Sequence, residues 1–276
     1  MLYYLENDYL KIAVADQACE IHSIFDKKTN SERIWQPKKG YWQQRGPILF
    51  PQISSTSSKK VRIKGQEYEM GNHGILRYAK FDFIAKSENQ LVFSICDDKE
   101  SIKHYPFHFK LVVTYTLIAN KLKANYQVIN LNEETMPFAF GLHPAFKTDV
   151  FESDSYEDYK IDFSEDESES KANLGLDLKS NLKLSRKLFQ DYPTVIVENP
   201  KSEYATLTNG SHGLKMRIKG CYLFAVWTPD DADFVCLEPW QSGLASQEVD
   251  DLEKRANIIN LAENEIYETS YSLEVF

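Results

Sequence analysis

Three short segments, far apart in the chain, each set one acid–base side chain in a turn-like frame. They are Asn72-His73-Gly74-Ile75-Leu76-Arg77, Gly141-Leu142-His143-Pro144-Ala145-Phe146 and Cys236-Leu237-Glu238-Pro239-Trp240. Two imidazoles and one carboxylate are the ingredients of paired proton transfer, in which one group takes a proton while another gives one. Arg77 adds a planar fork of donors suited to hydroxyl or phosphate oxygens, and Gly74 permits close approach of backbone to a ligand. Trp240 places a broad, flat indole beside the Glu238 carboxylate, a pairing that suits a sugar ring.

Each segment also has a plainer reading. His73 fits an ordinary turn with a solvated imidazole, His143 a core histidine, and Glu238 a surface carboxylate at a strand end. The segments taken singly leave both readings open. The remaining histidines have less support. His104 and His108 are four apart, but Pro106 opposes a helix between them, and on an extended strand they lie about 13 Å apart, too far to share a metal. His22 and His212 read as structural or exposed. No Gly-x-Ser-x-Gly elbow is present, which removes the usual frame for a serine hydrolase.

The elements that must hold these groups are strands. Leu122, Ala124, Tyr126 and Val128 alternate with Lys121, Lys123, Asn125 and Gln127, the period of a half-buried strand. The same alternation marks Leu10 to Val14, Lys80 to Phe83, Phe109 to Tyr115 and Ile266 to Leu273. Met136 to Leu142 reads as a buried strand that delivers His143 at its end, with Pro144 forcing the chain out of the sheet, and Phe234 to Leu237 likewise delivers Glu238. Turn chemistry at Lys64-Gly65, Ala119-Asn120, Asn209-Gly210 and Lys219-Gly220 separates the strands at intervals typical of a sandwich or barrel. The one convincing helical stretch is short, Val249 to Arg255, with acids at its start and bases at its end. The acidic run from Glu152 to Glu169 predicts a solvated loop around a strand from Tyr159 to Phe163. It lacks the ordered ligand spacing and turn glycine of a calcium loop.

At 276 residues, 42% hydrophobic and 13% aromatic, the chain has ample material for a core, and a single domain over 1–276 is expected. The formal charge of −9 works against nucleic acid or anionic membrane as a partner. No signal-peptide core or membrane-length apolar run is present, so the expected location is cytoplasmic. The four cysteines, Cys19, Cys96, Cys221 and Cys236, show no CxxC spacing and read as reduced, mostly buried thiols.

In this order and within an all-β chain, His-Gly-x-x-Arg, Gly-x-His-Pro-Ala-Phe and Leu-Glu-Pro-Trp resemble the aldose 1-epimerase (galactose mutarotase) family, and within it the LacX-like, mutarotase-related branch. The resemblance spans almost the whole chain. It takes in Arg45 to Pro51, Tyr105-Pro106-Phe107-His108-Phe109, Met136-Pro137-Phe138 and Asp251-Leu252-Glu253-Lys254. It implies a large β-supersandwich of mostly antiparallel strands and a site shaped for a pyranose, with no metal or organic cofactor.

The family's base then falls on Glu238, its ring-oxygen acid on His143 and its second histidine on His73. Arg77, Asn72, Trp240 and, by a looser alignment, Asp191 become sugar contacts. A charged imidazole beside the carboxylate would favour its ionised form. One departure stands out: Gln52-Ile53-Ser54-Ser55 replaces the Gly-Arg pair that often follows Phe-Pro in the family, so the substrate contact of that arginine is not carried over.

The expected activity is interconversion of the α and β anomers of a free hexose, with a monosaccharide as partner and a monomer or homodimer as the assembly. Three other readings remain open. A hexose-6-phosphate 1-epimerase would draw cations from Arg45, Arg77, Lys147 or Arg217. A non-catalytic sugar-binding protein fits the missing Gly-Arg pair. A glycoside hydrolase needs two acidic groups about 5–10 Å apart, and the strongest motifs offer one.

Overall fold

The computed structural model describes residues 1–169, 176, 178–229, 231–245 and 248–276. Within them the chain is almost entirely strands, and the predicted all-β class is what is found. A nine-stranded sheet runs in the order Asn181–Lys183, Lys160–Phe163, Tyr204–Thr208, Gly213–Arg217, Ile266–Val275, Lys121–Asn130, Phe109–Ile118, Gln90–Cys96, Asp82–Lys86. A six-stranded sheet carries Val195–Glu198, Leu223–Trp227, Phe234–Trp240, Gly141–Leu142 and Ile48–Leu49, with Ala145–Lys147 also paired to Phe234–Trp240. The named strands pair antiparallel except Val249–Asp251, which runs parallel to Lys60–Ile63 among the described residues. No described helix is long and apolar enough to cross a membrane.

The alternating patterns land where the period-two argument puts them. In Lys121–Asn130 every second residue from Leu122 is buried, and in Phe109–Ile118 every second residue from Phe109. These inner faces join a hydrophobic cluster that draws on residues from Leu5 to Val275. The Lys64-Gly65 turn has both residues at positive φ, 51° and 77°, as the favoured two-residue hairpin requires. Asn209-Gly210 belongs instead to a four-residue connection between Tyr204–Thr208 and Gly213–Arg217.

Local chemistry alone misplaced three features. The stretch Val249 to Arg255 is not a loop helix: Val249–Asp251 is a strand and Leu252–Lys254 a single 3-10 turn, because pairing with Lys60–Ile63 satisfies that backbone. Among the described residues the α-helix is Arg186–Asp191, capped by the Ser185 hydroxyl, which accepts from Leu188 N–H at 3.1 Å. The strand expected at Lys80 to Phe83 begins at Asp82 and is exposed throughout, as befits a sheet edge.

Candidate active site

The decisive juxtaposition comes from strand register. Gly141 lies opposite Trp240, and Ala145 opposite Cys236, so continuation of that register sets His143 opposite Glu238. Directly opposed residues on an antiparallel pair share a face with Cβ atoms about 4.5–5.5 Å apart. Pro144 therefore does not send the chain out of the sheet. It interrupts the ladder between two short strands that follow the same partner, and its carbonyl accepts from Leu237 N–H at 3.1 Å. Imidazole and carboxylate meet with His143 Nε2 3.2 Å from Glu238 Oε2, without the alignment of a hydrogen bond.

His73 arrives from a loop. It has φ 65° and is held twice by Ser54: its N–H donates to the Ser54 carbonyl at 2.9 Å, and Ser54 N–H donates to His73 Nδ1 at 3.1 Å. Because Nδ1 accepts, the proton of the neutral ring sits on Nε2, which is left as a donor. Its ring stands 5.4 Å from that of His143, edge to face.

Gly74 shapes this loop, but the close approach it allows is to Phe50 and not to a ligand. A Cβ on Gly74, at φ +80°, would lie 2.1 Å from the Phe50 carbonyl oxygen. Gly74→Ala is expected to cost of order 1–3 kcal/mol in backbone strain. Urea unfolding should show a lowered midpoint and kinetics a raised KM, and an unchanged midpoint would refute this account of the loop.

His143, Glu238, His73, Asn72, Arg77 and Trp240 line one cavity of about 410 Å³. Arg77 is anchored by Gln44, whose Oε1 accepts from Arg77 Nε at 2.7 Å and whose amide donates to the Arg77 carbonyl at 2.9 Å. Trp240 packs its indole over Gly141, where a Cβ would come within 2.7 Å of Cδ1.

Asp191 is the site candidate that the fold does not bring in. It lies at the end of the Arg186–Asp191 helix, where its carboxylate takes an ion pair of 2.9 Å from Lys187, and it is not among the lining residues. His104 and His108 bond instead to the Glu69 carbonyl and the Asp97 carboxylate. His212 is buried against Tyr159 and Asp154.

The cavity also holds residues that sequence reasoning missed, namely Trp42, Trp227, Ser54, Thr194, Ile196 and Leu244. Trp42 and Trp227 flank His143, the first tilted and the second edge to face, with centroids 4.9 and 5.5 Å away. Trp227 ends an apolar strand, a weak signal, and Trp42 sits in an irregular loop that gives none.

Burial sets the charge of the site. It pushes the His143 imidazole well below its ordinary 6.5, with His73 and Arg77 adding to the effect, and pushes the Glu238 carboxyl well above 4.5. His73 is lowered to about 3, by burial first and Arg77 second. Burial thus works against the charged imidazole and ionised carboxylate expected here, disfavouring the charged form of both groups. His143 Nδ1, Glu238 Oε2 and Trp240 Nε1 are buried with no hydrogen-bond partner. Buried polar atoms without partners require an explanation, and a site that binds a polar ligand supplies one.

The family signature described as aldose 1-epimerase matches residues 1–273. The plasmid-borne protein LacX of Lactococcus lactis subsp. lactis is 31% identical over 299 aligned positions, covering 100% of this chain and 99% of LacX. Among solved structures, a galactose mutarotase-like protein from Lactobacillus casei superposes with a TM-score of 0.91 at 28% identity, covering 100% of both chains. A galactose mutarotase related enzyme from Lactobacillus acidophilus gives a TM-score of 0.91 at 27% identity, covering 100% of this chain and 97% of that one.

Proposed function

The chain belongs to the aldose 1-epimerase family, and from that premise we propose that it interconverts the α and β anomers of a free aldohexose by acid–base ring opening. The observation that carries this reading is the buried contact of His143 with Glu238 at the bottom of the cavity, 3.2 Å apart and within reach of His73.

The pair carries one acidic proton at every stage of the cycle. When the sugar binds, the carboxyl proton passes to the imidazole, leaving carboxylate beside imidazolium. Glu238 then takes the proton of the C1 hydroxyl as His143 protonates the ring oxygen. The C1–O5 bond breaks to an aldehyde and a C5 hydroxyl, and the pair is back in its neutral, buried form. The C1–C2 bond rotates, the C5 hydroxyl adds to the other face of the aldehyde, and the same protons return. His73, neutral with Nε2–H, donates a hydrogen bond to an oxygen near C1. Positioned proton transfer of this kind contributes about 10²–10⁴-fold.

An unphosphorylated sugar is favoured by the charges at hand. Of the four cations that a phosphate reading would recruit, Arg77 alone lines the cavity and is already held by Gln44. Arg217 pairs with Glu203 and Lys147 with Asp149, and Arg45 is not among the lining residues. The four cysteines are free thiols, which suits the reducing cytoplasm.

Anomer exchange followed by NMR on free aldoses and hexose 6-phosphates tests the proposal. Acceleration is expected for a free aldose, with its 6-phosphate at least about tenfold poorer in kcat/KM, a difference of about 1.4 kcal/mol. Binding of sugar with exchange left at the spontaneous rate would instead mean a sugar-binding protein on this scaffold.

A further inference from the structure

The mechanism leaves one buried nucleophile beside the reacting pair unused. Cys236 is two residues before Glu238 on the same strand, so both side chains stand on the face that His143 shares from across the ladder. One ring nitrogen of His143, the Cys236 sulfur and a carboxylate oxygen of Glu238 all lie within 4.8 Å of one another. All three residues are buried, at 7%, 0% and 1% exposure.

We propose that Cys236, His143 and Glu238 form a binding site for a soft divalent cation such as Zn²⁺, and that its occupancy blocks anomer exchange. Thiolate, imidazole and carboxylate are a donor set that zinc accepts, with bonds of about 2.0–2.3 Å. Ligands of one such ion stand about 3.5 Å apart, so the sulfur has to close by roughly 1 Å while the histidine and glutamate are already near enough. Glu238 Oε2 is buried without a hydrogen bond, and the His143 ring nitrogen beside it, Nε2, stands 3.2 Å away.

The cysteine is seated among Ala145, Phe234 and Trp35, an apolar setting that offers the sulfur little else to bind. Because His143 and Glu238 also line the sugar cavity, an ion held by them would stand at its wall. Binding sends the thiol proton and the Glu238 carboxyl proton to solvent and occupies the lone pairs on which proton transfer depends. The ion and the ring-opening cycle therefore exclude one another. The blocking half of this inference rests on the function proposed above, and the binding half stands without it.

Cobalt(II) substitution tests both halves. The exposed thiol Cys96 is first removed as Cys96→Ser, and Co²⁺ is titrated into that protein. One equivalent should saturate a near-ultraviolet thiolate-to-cobalt charge-transfer band, Zn²⁺ should abolish the band, and Zn²⁺ should halt anomer exchange. Adding Cys236→Ala should remove the band, leave metal-free exchange within about twofold, and raise the Zn²⁺ needed for half-inhibition by at least about tenfold. Absence of the band in the Cys96→Ser protein overturns the site, and so does equal inhibition of the Cys236→Ala variant. A protein that shows the band but accelerates no sugar keeps the metal site and loses both the blocking role and the proposed function. If Cys236→Ala does not fold, the band and its displacement by zinc in the Cys96→Ser protein still decide the binding half, and the sensitivity of its exchange to zinc decides the other.

Discussion

Glu238→Gln is expected to slow anomer exchange about 10³-fold, inside the range for a positioned proton acceptor, while raising thermal stability. The stability gain follows from the same burial that tunes the catalyst. The Glu238 carboxyl is fully enclosed and its pKa is raised well above the ordinary 4.5 by burial. Folded protein then keeps a proton that unfolded chain releases. The contribution of that group is full below its unfolded value and falls as pH rises above it toward the folded value.

Glutamine carries no such penalty. The melting-temperature advantage of Glu238→Gln should therefore grow from about pH 5 to about pH 8. Thermal melts at the two pH values, with NMR exchange rates on the same samples, check both parts. Near-wild-type exchange would sink the assignment of the base, and a pH-independent difference in melting would sink the account of its burial.

His143→Ala is expected to lower kcat about 10²–10³-fold with a smaller effect on KM, because the imidazole acts on the ring oxygen as it leaves. Its larger test is coupling. Since the pair carries one acidic proton, the Glu238→Gln/His143→Ala double variant should be little slower than the worse single variant. Independent groups would multiply their losses. Additive losses in kcat would separate the two residues and refute the shared-proton cycle. Folding is followed in parallel by circular dichroism, since removing the imidazole opens space between Trp42 and Trp227.

Much of this was legible locally. The period-two runs at Lys121 to Val128 and Phe109 to Tyr115 carried the strands, since alternation is written residue by residue and needs no distant partner. The Lys64-Gly65 turn was readable for the same reason, and the family resemblance of the three ordered motifs agrees with the match over residues 1–273. The short helix and the Val249 strand were not readable. A six-residue helix has too few turns to show a 3.6-residue period, and a strand paired through Lys60–Ile63 owes its conformation to residues nearly two hundred positions away.

By itself the sequence determined that the chain is all-β, and that it offers two histidines, one glutamate and a tryptophan at strand ends and turns. Tertiary structure alone decided that His143 faces Glu238 across a ladder and that Ser54 sets the tautomer of His73. It also decided that Trp42 and Trp227 wall the imidazole and that Asp191 stays with Lys187 outside the cavity. The same holds for charge: composition supplies a carboxylate and an imidazole, but where their one proton rests depends on exclusion of water by residues from every part of the chain. Side-chain period is a property of neighbours in sequence. Register, enclosure and the desolvation they impose belong only to neighbours in space.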